Sequence, residues 1–148
     1  MTTSTDKLTA LIAAKLQLVE LLARLGRRQL ELIDGGDMVG LIKLLAAKQT
    51  VLEQLQAADR KLDPFRQEDP EKRLWRTAAE RAACQSQADR ANGLLAEAME
   101  LEKQAEAAML RRRDAAALAL DAANAANDAH LAYAPQGAPP VTTLHVEG

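Results

Sequence analysis

An all-α architecture is what this sequence predicts: an antiparallel helical hairpin plus a long third helix, together an elongated three-helix bundle or coiled coil, with a flexible C-terminal tail. Three observations lead there. Residues 1–63 and 71–134 contain no proline, and both runs are filled with helix-compatible residues. The apolar content is 48%, nearly all of it in 31 Ala and 24 Leu, while aromatic residues make up only 2%. A β-sandwich or barrel needs the β-branched and aromatic residues that are missing here. Finally, leucines recur at seven-residue intervals near the start of the chain, a period suited to coiled-coil packing.

The first helix is expected over about residues 5–33, with Thr5 or Asp6 capping its first turn. Leu11, Leu18, Leu25 and Leu32 form the repeat, flanked by Ile12, Val19 and Ile33, with Leu8 and Leu22 in the complementary position. Lys15 and Gln29 fall where that second position should be apolar. Leu16, Leu21 and Leu30 lie off the stripe, which suggests more than one packing neighbour. Asp34-Gly35-Gly36-Asp37 then interrupts the pattern. Glycine ends a helix by taking positive φ, Asp37 caps the next helix, and a short connection favours antiparallel neighbours.

The second helix is expected over about 37–62. Met38, Leu41, Leu45, Leu52, Leu55 and Leu62 make its core stripe, interrupted at Lys48 and Asp59, with Leu44, Val51 and Ala58 on an adjacent line. Asp63-Pro64-Phe65 should stop it, because a residue before proline disfavours the helical region. Asp69-Pro70-Glu71 has the form of a helix start, so the third helix is expected over about 70–132, with Asp69 and Arg73 paired across one turn. Its apolar line is thin: Leu74, Ala78, Ala88, Ala91, Leu95, Ala98 and Ala105, with Leu94, Leu101 and Leu110 on other faces. Residues 1–132 thus form one helical domain.

Beyond Asp114 the character changes. Residues 115–134 read AAALALDAANAANDAHLAYA and residues 115–148 carry no Lys or Arg. Alanine supplies helix propensity with little burial, so the helix after 114 should pack weakly. Residues 133–148 are expected to be a flexible tail.

Chemistry-bearing groups are sparse. Cys84 reads as a packed thiol, and pairing it with His130 or His145 would draw on the weakly structured last quarter. Metal binding by the histidines with Asp121 or Asp128 has no recognisable spacing; a Glu-x-x-His pair would need an acid at Asn127. Gly35-Gly36 lacks the Lys-Ser/Thr of a phosphate loop. Arg111-Arg112-Arg113 spreads around a helix and reads as a solvated collar. With 19 basic and 21 acidic residues no global field favours nucleic acid, and no apolar run is long enough for a transmembrane helix. The expectation is a non-enzyme without cofactor or metal, in a reducing cytoplasm.

The segment Leu30-Glu31-Leu32-Ile33-Asp34-Gly35-Gly36-Asp37, continuing through Met38, Leu41, Leu44-Leu45 and Lys48-Gln49, resembles the FlgN-type flagellar export chaperones. Val51, Leu52 and Leu55 follow the Lys as in that family, Asn92 precedes Leu94-Leu95, and Tyr133 stands shortly before Gly137. The recognisable motif covers residues 30–55 and the looser pattern residues 8–137; the tail is richer in Ala and Pro than the family's. The resemblance implies a cytoplasmic, non-catalytic chaperone. Its partners would be the helical segments of hook–filament junction (hook-associated) proteins and the cytosolic domain of the flagellar type III export gate. Carried over by position, Leu110, Leu118, Leu120 and Leu131 are the client-binding candidates and Tyr133 the gate-docking candidate. A structural or adaptor coiled coil acting by self-association, a homo-oligomer, is the alternative. An amphipathic coat on hydrophobic granules is a third class.

Overall fold

The computed structural model describes residues 3–133. Its elements are α1 (Ser4–Gly35), α2 (Met38–Arg66), a single 3-10 turn (Pro70–Lys72) and α3 (Ala78–Ala132), with no strand among the described residues. The described residues are all-α, with three α-helices. The chain divides into two units, Met1–Met109 and Leu110–Gly148, the boundary falling inside α3. The expected tail, apart from Tyr133, lies outside the described residues.

In the first unit, α1 begins earlier than the sequence suggested. Thr3 is the cap, its hydroxyl accepting from the Asp6 amide (3.1 Å), while Asp6 accepts in return from the Thr3 amide (3.1 Å). That reciprocal pair satisfies two amides of the first turn. The Thr3 amide holds the Asp6 carboxyl below its ordinary value, against a smaller opposing effect of burial. At the other end Gly36 takes φ 71°, and the Gly36 and Asp37 amides donate to Ile33 O (3.1 Å) and Leu32 O (2.9 Å). A side chain at position 36 would be strained in this left-handed conformation, so the glycine ends α1. Asp37 caps α2 by accepting from the Gly40 amide (2.8 Å), so only Gly36 and Asp37 separate the two helices.

The core line of α1 runs one residue along from the leucine repeat. Thr5, Leu8, Val19, Leu22, Gly26, Gln29 and Ile33 are buried, with Ile12 and Lys15 half-buried in the same 3-4 series. Leu11, Leu18 and Leu25 flank it, half-buried. In α2 the buried line joins Leu41, Leu55 and Leu62 of the expected stripe to Leu44, Val51 and Ala58 of the adjacent line. Leu41, Leu44, Val51, Leu55, Ala58 and Leu62 are buried, whereas Leu45 is exposed and Leu52 half-buried. A helix with two neighbouring apolar lines turns inward whichever one its partners contact on both sides, and that choice is made by packing.

Polar interruptions in α1 and α2 meet each other. Lys15 pairs with Asp59 (3.0 Å), and Lys48 donates to Gln29 (3.0 Å) and pairs with Glu102 of α3. Between and beyond these layers lie three apolar clusters. They combine Leu8, Leu62 and Cys84; then Val19, Leu22, Val51, Leu55 and Ala98; then Leu32, Ile33, Leu41, Leu44, Ala105 and Ala108. Position numbers rise along α1 and α3 but fall along α2, so α2 is antiparallel to both.

α3 contributes Cys84, Ala91, Ala98 and Ala105 at seven-residue intervals, then Ala108. Cys84 is buried, as a packed thiol should be. These small residues bring α3 close to the hairpin. At Gly26 a Cβ would stand 3.2 Å from Leu101 Cβ, so this glycine is a point of close helix approach. Leu101, placed on another face from the sequence, therefore faces α1. Three ion pairs join positions 70 residues apart: Asp6–Arg76 (2.5 Å), Glu20–Arg90 (3.2 Å) and Arg27–Glu97 (2.5 Å). Seventy is a whole number of heptads, so α1 and α3 run in phase. Exposed pairs of this kind contribute little to stability and serve mainly to select that phase.

Two helix boundaries differ from expectation. α2 continues through Pro64 to Arg66. The Arg66 side chain folds back to Asp59 O (3.2 Å), Asp59 (3.0 Å) and Asp63 (2.6 Å), and Arg73 donates to Phe65 O (2.6 Å), so side-chain bonds tie down the last turn beyond the proline. Asp69-Pro70-Glu71 starts only the 3-10 turn, and Arg73 lies 3.6 Å from Glu68 rather than pairing with Asp69. The chain then stays extended, with Leu74 O accepting from the buried Thr5 hydroxyl (3.0 Å). α3 starts at Ala78, where the Thr77 hydroxyl accepts from the Glu80 amide (3.1 Å). Thr77-Ala78-Ala79-Glu80 is a capping-box spacing that marks this start in the sequence.

Two measurements check this packing. Leu44 is 8% exposed and Leu45 42%, so Leu44→Ala should cost about 2–5 kcal/mol in urea unfolding and Leu45→Ala under about 1 kcal/mol. Partial burial pushes the Asp59 carboxyl up, but hydrogen bonds and charge from Lys15 and Arg66 outweigh it and leave it below its ordinary value. Its stabilising contribution is therefore complete above the ordinary carboxylate value and lost as pH falls through the lowered one. The gap in urea midpoint between the parent and Asp59→Asn should be constant above about pH 5 and close on acidification.

Candidate functional site

The candidate partner-binding surface is helical and wholly exposed. Every residue from Met109 to Tyr133 is exposed, a stretch that α3 carries as continuous helix to Ala132. Burial in α3 thus ends at Ala108, ahead of the compositional change at Asp114. Alanine supplies the helix propensity that holds this segment without a core of its own. In the second unit Leu118 is 70% exposed, Leu120 61%, Leu131 63% and Tyr133 88%, with Leu110 also exposed.

These residues do not form one face. At about 100° per residue, Leu120 and Leu131 lie on one line of the helix, about 20° apart, with Leu110 about 60–80° from them. Leu118 sits about 160° around from Leu120, on the opposite side. Tyr133 follows the last helical residue; its amide donates to Ala129 O (3.1 Å) and its ring is solvated. The structure groups Leu120 with Leu131, leaves Leu110 at their edge, and separates Leu118.

A second apolar surface lies in the first unit, and the sequence pattern places three of its residues, Leu45, Leu52 and Leu95, in the core. Leu45, Leu52, Leu95 and Met99 line a groove of about 490 Å³ between α2 and α3, together with the paired Lys48 and Glu102. Leu45 and Met99 are exposed, and along α2 so are Met38, Val39 and Ile42. The signal was the second 3-4 line, Met38-Ile42-Leu45-Leu52. A periodicity marks apolar faces without saying which is covered.

Groups able to do covalent or metal chemistry are dispersed. Cys84 is enclosed in the first unit, and His130 is exposed in the last turn of α3; His145 lies outside the described residues. No cluster of three or more His, Cys, Asp or Glu able to hold a metal ion occurs among the described residues. Arg111, Arg112 and Arg113 are exposed, and Arg113 lies 3.5 Å from Asp114. No described helix is long and apolar enough to cross a membrane.

Neither protein-family models, nor curated proteins, nor solved structures give a match to this chain.

Because their side chains are solvated, Leu120→Gln and Leu131→Gln should shift the unfolding free energy by no more than about 0.5 kcal/mol each. Urea titration followed by circular dichroism checks this. A larger loss would place them in a packed interface.

Proposed function

We propose that the protein is a non-catalytic helix-binding protein, and specifically a FlgN-type export chaperone for hook–filament junction proteins. One observation carries the binding reading: leucines on a continuous helix from Leu110 to Leu131 are solvated, although the first unit buries leucine readily. The resemblance of residues 30–55 to the chaperone family supplies the client class and the cytoplasmic setting.

The mechanism needs no chemistry at the client. An amphipathic helix of the junction protein lays its apolar face on Leu120 and Leu131, excluding water from both. Masking those helices prevents their premature assembly. The alanine-rich surface buries less area per residue than leucine would, which limits affinity and leaves the client releasable at the export gate. Tyr133, solvated beside this segment, is the gate-docking residue in this reading.

Calorimetric titration of the full chain with a junction protein should give a stoichiometric complex. Leu120→Glu combined with Leu131→Glu should weaken it at least about tenfold, or 1.4 kcal/mol. Tyr133→Ala should spare client binding and weaken binding to the cytosolic domain of the gate protein. Absence of a complex at micromolar concentration rejects the chaperone reading. A stable oligomer in light scattering that the double variant dissociates favours the self-associating adaptor, to which the same exposed leucines are suited.

A further inference from the structure

An unassigned pocket lies at the end of the bundle away from Gly36, where α1 begins, α2 ends and α3 begins. A cavity of about 270 Å³ there has Ile12, Phe65 and Trp75 among its apolar walls. Phe65 and Trp75 are the chain's only Phe and only Trp, and both are half-buried. Lys15, Arg66, Arg73 and Arg81 also line the cavity, and among the described residues no Asp or Glu does. Their carboxylate partners, Asp59, Asp63, Glu68 and Glu71, are not part of the lining.

Arg73 is the best placed of the four. Its Nη2 donates to Phe65 O (2.6 Å), while its Nε lies 3.6 Å from Glu68, is buried and has no hydrogen-bond partner among the described residues. A guanidinium with an unused donor beside apolar walls suits a carboxylate, which accepts a charge-assisted hydrogen bond. Size narrows the class. A cavity of about 150 Å³ holds benzene, and sites for drug-sized molecules start near 300 Å³. The space therefore takes one alkyl chain of medium length or one aromatic ring with its substituents.

We infer that this cavity is a binding site for a small apolar monocarboxylate, a medium-chain alkyl or arylalkyl acid, whose carboxylate is held by Arg73 and whose apolar body lies against Phe65 and Trp75. The inference is independent of the export-chaperone reading. Trp75, as the only Trp, reports occupancy directly.

The full chain is titrated with octanoate while Trp75 emission is followed, with octanol and octylammonium as matched probes and far-ultraviolet circular dichroism confirming the fold. Octanoate should give a saturable change, octanol one at least fivefold weaker, and octylammonium none. Ala88→Leu, which places bulk on the cavity lining, should abolish the octanoate response. Arg73→Gln should weaken octanoate at least fivefold and leave octanol unchanged, which a merely structural loss would not do; it decides alone if Ala88→Leu does not fold. No saturable response, equal responses to the three probes, or an octanoate affinity unaltered in Arg73→Gln overturns the site.

Discussion

The pairing of polar groups between α1 and α2 is the constraint on which the rest of this structure depends. Lys15 and Gln29 interrupt one apolar line, Asp59 and Lys48 the other, and antiparallel alignment brings Lys15 to Asp59 and Lys48 to Gln29. A shift of one turn would leave both half-buried lysines without their partners. Unpaired charges at such positions are costly, whereas the paired arrangement contributes little net stability, so the layers act mainly on register. Glu102 extends the second layer to α3, tying the third helix to the same alignment.

With register set, the apolar residues divide the work. Leucine, valine and isoleucine of α1 and α2 fill the core, while α3 inserts a seam of Cys84, Ala91, Ala98 and Ala105. Small side chains bury little area but allow backbones to approach, as Gly26 and Leu101 do. The leucines of α3 are thereby released from the deep core: Leu94, Leu95 and Leu101 are half-buried, and Leu110, Leu118, Leu120 and Leu131 are solvated. Exposed leucine on an alanine helix is the physical basis for the helix-binding function proposed above.

The segment joining α2 to α3 closes the other end. Arg73 and Thr5 satisfy carbonyls of Phe65 and Leu74, so residues 67–77 form a partly extended cover rather than a helical start. That use of Arg73 explains why Asp69-Pro70-Glu71 yields only one 3-10 turn despite its capping chemistry. It also gathers both non-tyrosine aromatics about one cavity. Nothing in the local spacing of Phe65, Arg73 and Trp75 announces that meeting, because it depends on where α1 and α3 bring Ile12 and Arg81.

The sequence by itself determined the helical class, the hairpin at Asp34–Asp37, the cap at Asp37 and the solvated alanine-rich end of α3, because proline, glycine, capping aspartate and heptad spacing act through neighbouring residues. It also marked Lys15, Gln29, Lys48 and Asp59 as interruptions, without their partners. Only the tertiary structure decided that Leu44 rather than Leu45 faces inward and that Cys84 heads the seam of α3. The physical reason is common to both. A helix with two apolar lines has no local preference between them, and the choice belongs to the side chains that arrive from elsewhere in the chain. Leu118 differs: its separation from Leu120 and Leu131 follows from the helical period alone, on a helix that the sequence already carried to about residue 132.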